Sequence, residues 1–366
     1  MAMSYGRGAM SSAIEPGRRL AMILLTATAL LAVLELGLQV RSQLRFGQSV
    51  FNALRGETRY VEDAQTGLKL LRPNRIFPGR DVEIRSNSLG LRSPEILLTR
   101  EPGSLRIAVV GASTVMGELA ARNEMTFSAL LGERLRQHYP DTKVEVINAG
   151  IAGYRLADQQ RMLERIVLPL KPDLVVVYPG FNDFADYCRD AEPAATAARH
   201  GLPLLSLPGW LLSVEAVRRN TGFLRTALPA KKTLRDPAAI EIAPYRRRIE
   251  QIVATVRAAG VPLLLATNAR AYRPEQPLEE QMRLSEQARY FNACFDLAGL
   301  HTLYDRHNAE ILETGRRLDV PVLPLHLQIP GGRRYFADSS HFTPDGERLA
   351  ADAIFGFLVT GGLLGS

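Results

Sequence analysis

Five short, mostly apolar runs mark the chain at 105–110, 144–147, 174–178, 263–267 and 322–325. Each is bounded by Gly, Pro or polar turn residues, and helical periodicity fills the intervals at about 126–138, 156–167, 245–259 and 303–318. Strands apolar on both faces and alternating with helices predict a parallel sheet covered on both sides. The expected fold is therefore α/β, a three-layer α/β/α sandwich around about five parallel strands. Ligands bind such sheets beyond the C-terminal ends of the strands. Chemistry is expected in the loops after the first three strands and beyond the fifth.

A different pattern opens the chain. Residues 20–34 are uncharged, with Arg7, Arg18 and Arg19 before them and only Glu15 opposing. Continued to Val40, a helix here is about 30 Å long at ~1.5 Å per residue, enough to cross a bilayer. The positive-inside rule assigns 1–19 to a cytoplasmic tail and 20–40 to a single-pass transmembrane anchor. A cleaved secretory signal and an amphipathic surface helix are the alternatives. An uncleaved anchor is favoured because no small-x-small site follows the apolar run; Ala27 and Ala29 form one inside it. Residues 41–100 are expected to be a polar linker with short β pieces, and 101–366 the main domain. A Pro-rich, basic insertion at about 186–243 holds the only Trp, Trp210.

The charge of +7 is carried by Arg far more than by Lys, which suits an anionic membrane or polymer as well as nucleic acid. No zinc-finger spacing, basic region with heptads or aromatic-bearing RNA-binding strand supports nucleic acid as a partner. Cys188 and Cys294 have no CxxC spacing and are expected to be plain buried thiols; one disulfide is the alternative if the domain lies outside the cytoplasm. Neither a Walker A loop nor a His/Cys ligand cluster occurs, so no cofactor or metal is expected.

Four segments carry candidate chemistry. RIAVVGASTVMG, residues 106–117, places Ser113 after a strand and before a helix, where backbone N–H groups can face developing negative charge. A serine hydroxyl needs a base, and an imidazole base needs a carboxylate to fix its tautomer. DSSHFTPDGE supplies both, with Asp338 three residues before His341. Gly150 in NAGIAGY can offer a backbone N–H and Asn182 in YPGFNDF a side-chain amide to an oxyanion. Turn and cap duties are the plain alternatives at each of these positions. His138, His200, His301, His307 and His326 lack such a neighbourhood and are expected to be structural or solvent-facing.

In this order, GAST, NAG, GFND and DSSH resemble the four sequence blocks of the SGNH (GDSL-like) hydrolases, over residues 105–357. The resemblance implies a flavodoxin-like α/β/α sandwich and an acyl-serine intermediate. It also implies a Ser113–His341–Asp338 triad and an oxyanion hole of the Ser113 N–H, the Gly150 N–H and Asn182. RSNSLGLRS, residues 85–93, is similar to a segment that precedes the catalytic domain in membrane-anchored bacterial members. One position departs from the family pattern: Ala112 stands where an Asp usually precedes the serine. The expected function is hydrolysis of acyl esters, acetyl among them, on a carbohydrate, lipid or envelope polymer. The catalytic domain is expected on the periplasmic side of the inner membrane. An O-acyltransferase modifying an envelope polysaccharide and a non-catalytic binding module of the same fold are the alternatives.

Overall fold

The structure, a computed structural model, describes residues 16–47, 49–55, 57–189, 211–214, 216 and 234–364. Its centre is a parallel sheet of β5 (Leu105–Gly111), β6 (Val144–Gly150), β7 (Leu174–Tyr178), β8 (Leu263–Ala266) and β9 (Val322–Leu323), in the order β6-β5-β7-β8-β9. All of β7 and β8 and all but the first residue of β5 are buried, which explains why these strands read as near-continuous apolar runs, broken in β5 only by Arg106, which pairs with Glu145. The expected α/β sandwich is present.

Helices cover both faces. Alternate strand residues Ile107, Val109, Leu174 and Val176 pack with Phe127, Leu131 and Leu135 of α4 (Phe127–His138), whose N-terminus is capped by Thr126. They share that layer with α10 (Leu297–Leu318) and α12 (Pro344–Thr360). Ala108, Val110, Val175 and Val177 face the other layer, α5 (Leu156–Met162) and α7 (Ala243–Ala258). The two-residue periodicity of a strand thus feeds two separate cores.

The stretch expected to be a linker is part of this second core. Between β1 (Tyr60–Glu62) and β4 (Ile84–Arg85), with β2 (Lys69–Leu71) and β3 (Ile76–Phe77) paired to them as two small antiparallel ladders, Leu68, Leu71 and Ile84 are fully buried. They and Leu91 join the cluster that holds Ala112 and Met116. The N-terminal helix is also longer than expected: α1 runs Pro16–Phe46. Its end is clasped by the domain, with Gln39 buried, Arg45 paired to Asp81 at 2.5 Å, and the Arg80 N–H donating to the Leu44 carbonyl at 2.9 Å.

The cysteines are not free thiols: Cys188 and Cys294 form a disulfide with Cα atoms 5.4 Å apart. It joins α6 (Phe184–Arg189) to the loop after α9 (Glu286–Phe291), which follows α8 (Leu278–Leu284). Most of the basic insertion, with Trp210, Arg218, Arg219, Arg225, Lys231 and Lys232, lies outside the described residues, as does His200. Arg235 is described, and it donates to the Tyr187 carbonyl.

Candidate active site

Beyond the C-terminal ends of β5, β6 and β7 lies an open cleft of about 810 Å³. Ser113 opens the single-turn helix α3 (Ser113–Met116) at the tip of β5, so the first N–H groups of that turn have no acceptor within the helix. The serine Oγ is 2.8 Å from His341 Nε2, and His341 Nδ1 is 2.6 Å from Asp338 Oδ2. The other carboxylate oxygen, Asp338 Oδ1, accepts the backbone N–H groups of Ser340 and His341, each at 2.9 Å. Two residues from one short loop before α12 and a third from the start of α3, 228 positions from His341, thus form one continuous hydrogen-bonded chain.

The electrostatics suit a base held ready. Burial alone pulls His341 down, yet the Asp338 hydrogen bond and charge, with Glu118 and Glu347 beyond, leave it above the ordinary imidazole value. Burial pushes Asp338 up, and the hydrogen bond and charge of His341 together with the two backbone N–H groups bring it below its ordinary value.

Asn182, after β7, lines the same cleft; one N–H of its amide donates to the Tyr154 carbonyl at 2.9 Å, fixing the group and leaving it a second N–H. Gly150 does not reach the cleft. It is the last residue of β6, paired with Gly111 of β5, and its N–H donates to Asn148 Oδ1 at 3.1 Å. A Cβ there would lie 2.2 Å from the Met116 nitrogen, so this glycine makes room for α3 to lie against the sheet. The cleft is lined instead by Gly153, three residues on, whose φ of +83° favours glycine. Lys69 of β2 holds this turn through the Ala152 carbonyl at 2.5 Å.

Ala112 is buried and offers no polar side chain to the loops around it. The β7 loop is instead tied by Asn268, which accepts the Gly180 N–H at 2.8 Å and donates to the Gly180 carbonyl at 3.2 Å. Asn308 holds Asn268 in turn through both of its backbone groups, at 2.8 and 3.0 Å. Asn268 did not stand out in the sequence, where its only signal is a polar residue just past a strand end; Gly153 was visible in NAGIAGY only as a turn glycine. The far wall of the cleft comes from α8 and α9, with Arg283, Tyr290 and Phe291, the last 56% exposed.

The remaining described histidines lie elsewhere. His307 is buried against Tyr187 and the Leu303 carbonyl, and burial holds it down at about 4. His301 and His326 contact Gln281 and Thr267, and His138 meets Tyr139 and Phe355 edge to face. Among the described residues no group of three or more His, Cys, Asp or Glu is placed to hold a metal ion. A second hollow of about 760 Å³ runs along the outer edge of β6, lined by neither Ser113 nor His341.

No curated protein matches the chain. Among solved structures it is similar to an acetyl xylan esterase at 14% identity, covering 69% of this chain and 98% of that one, with a TM-score of 0.44. A single-substitution variant of an acetyl xylan esterase from Geobacillus stearothermophilus is similar at 15% identity, over 71% and 96%, TM-score 0.43. A GDSL-like lipase from Bacteroides thetaiotaomicron is similar at 14% identity, over 70% and 88%, TM-score 0.40. The model of the GDSL-like lipase/acylhydrolase family matches residues 109–349, a span that holds Ser113, Gly153, Asn182, Asp338 and His341, and the chain belongs to that family.

Proposed function

We propose that this chain is a serine esterase that cleaves acyl esters of a carbohydrate, lipid or envelope polymer by way of an acyl-serine. The observation that carries this reading is the unbroken chain from Ser113 Oγ through His341 to Asp338, at 2.8 and 2.6 Å, on the floor of an open cleft. His341 Nε2 takes the hydroxyl proton as Ser113 Oγ attacks the ester carbonyl carbon. The resulting oxyanion is met by the Ser113 and Gly153 N–H groups and the Asn182 amide, with Gly153 taking the place first expected for Gly150. His341 then returns the proton to the departing alcohol oxygen. Water, deprotonated by the same His341, attacks the acyl carbon; the bond to Ser113 Oγ breaks as His341 returns that proton to the serine oxygen, and the carboxylic acid leaves. The cleft supports a substrate with a polar body, since Arg283, Tyr290 and Asn292 stand around it beside the apolar Leu119 and Phe291. Hydrolysis of p-nitrophenyl acetate by wild type and its loss in Ser113→Ala test the assignment; full activity in a folded Ser113→Ala chain refutes it.

The same proposal places the site outside the cytoplasm on a single-pass anchor. Residues Gly17–Phe46 have a mean hydropathy of 2.2 in their most apolar window, none of it buried by the domain. Arg18 and Arg19 mark the cytoplasmic end. The paired Cys188 and Cys294 support an oxidising compartment for the rest. Protease added to intact spheroplasts should degrade the domain; protection until the inner membrane is broken refutes this orientation.

A further inference from the structure

The nucleophile turn is gripped from its C-terminal end by a side chain outside the family-matched region. In α3 the last carbonyls have no partner within the helix and face the interior. Asn148 Nδ2 donates to the Val115 carbonyl at 2.8 Å. The next carbonyls fall to Arg92. Its Nη1 donates to the Gly117 carbonyl and, at 3.5 Å, to that of Met116; its Nη2 donates to Ala120 and Glu83 carbonyls, both at 2.9 Å; and its Nε donates to Asn123 Oδ1 at 2.9 Å. A guanidinium has five N–H groups, and here five acceptors surround it.

Burying a cation among carbonyls, with Arg92 only 1% exposed, is expensive, and an apolar side chain would fill the same space at less cost. What an apolar residue does not provide is a planar array that fixes the Glu83 carbonyl, the carbonyls of 116–120 and the Asn123 side chain relative to one another. The segment around Arg92 is built to present it. Asn87 Oδ1 accepts the N–H groups of Leu89 and Leu91, each at 3.0 Å, and Gly90 takes a φ of +71° where a Cβ would strike the Leu71 carbonyl at 2.4 Å. At the other end of the turn the Ala112 side chain has no polar group, and the side-chain tie there is a long one, from Thr114 Oγ1 to the Ser340 carbonyl at 3.4 Å.

We infer that Arg92 is a positioning residue for the nucleophile: by clamping the Met116, Gly117 and Ala120 carbonyls it holds Ser113 Oγ at hydrogen-bond distance from His341. The upstream segment that carries it is a working part of the active site. This inference rests on Ser113 being the nucleophile. A displacement of the nucleophile by about 1 Å costs roughly a hundredfold in rate.

The test uses the full-length, detergent-solubilised chain with a fluorophosphonate probe and p-nitrophenyl acetate, comparing wild type, Arg92→Lys, Arg92→Ala and Ser113→Ala. Lysine keeps the charge and most of the volume but has three donors on one nitrogen, so it does not span the same acceptors. Arg92→Lys should keep a cooperative melt and the Cys188–Cys294 disulfide while its labelling rate and kcat fall about a hundredfold, with KM and the pH midpoint unchanged. Guanidinium at tens of millimolar, well below denaturing levels, should restore at least tenfold in Arg92→Ala and nothing in Ser113→Ala. A folded Arg92→Lys that labels within threefold of wild type overturns the inference. So does a loss in Arg92→Ala that tracks its unfolded fraction and does not respond to guanidinium. Wild type that fails to label at Ser113 overturns the esterase assignment itself, and this inference with it.

Discussion

Replacing Asp338 by Asn separates proton transfer from structure, because the loop constrains how the amide must sit. Asp338 Oδ1 accepts two backbone N–H groups, from Ser340 and His341, both at 2.9 Å. In Asp338→Asn the amide oxygen must stay there, since an NH2 group at that position would face two donors. The NH2 therefore takes the place of Oδ2 and donates to His341 Nδ1, 2.6 Å away in the wild type. That forces the imidazole proton onto Nε2, where it points at Ser113 Oγ, and the ring no longer accepts the hydroxyl proton. The closest precedent for this tautomer error is a loss of about 10⁴ in kcat, or roughly 5.5 kcal/mol of transition-state stabilisation. Ser113→Ala and His341→Ala should each cost more, around 10⁶, and combining any two should add little because the three act as a unit. Burst and steady-state kinetics on p-nitrophenyl acetate measure kcat, and circular dichroism checks the fold. Asp338→Asn within tenfold of wild type would refute the proton-transfer assignment.

Three further outcomes are expected. Asn182→Ala removes one donor to the developing oxyanion and should lower kcat about a hundredfold, ~3 kcal/mol, with KM little changed; a rise in KM alone would make Asn182 a substrate-binding residue. Because the Asp338 hydrogen bond and charge overcome burial and hold His341 above the ordinary imidazole value, kcat/KM should rise with pH through a midpoint above about 6.5, falling on the acid side as His341 protonates. A midpoint below that value would contradict the pairing with Asp338. Replacing Cys188 and Cys294 by Ala opens a loop of sequence separation 106 and should lower stability by about 2–5 kcal/mol in denaturant unfolding, while activity of the folded fraction persists.

The sheet was legible because its central strands are buried on both faces, and such strands leave nearly unbroken apolar runs. β6 was read three residues short, since Asn148, Ala149 and Gly150 look like a turn while pairing with Val109, Val110 and Gly111. That error carried into the site: NAGIAGY holds two glycines, and only knowing where the strand ends separates the spacer, Gly150, from the cleft residue, Gly153. Ser113 and Asn182 were visible as types just past strand ends, and Asp338 and His341 as a pair in one loop; Ser113 meets that pair only once the sheet brings the distant loops together. The packing of 57–97 was hidden because its strands are two or three residues long, too short for a period to show, and its apolar residues are scattered among charges. The Cys188–Cys294 pairing and the targets of Arg92 are likewise long-range, set by the sheet and not by local spacing.

The central claim is that Ser113 is an activated nucleophile in a cleft that admits an ester. Labelling the full-length chain with a fluorophosphonate and mapping the adduct by tandem mass spectrometry tests this without presuming a substrate. One adduct per chain on Ser113, absent in His341→Ala at matched times, is the predicted result. No adduct on a folded wild-type chain, or an adduct on another serine that survives Ser113→Ala at full stoichiometry, would contradict it.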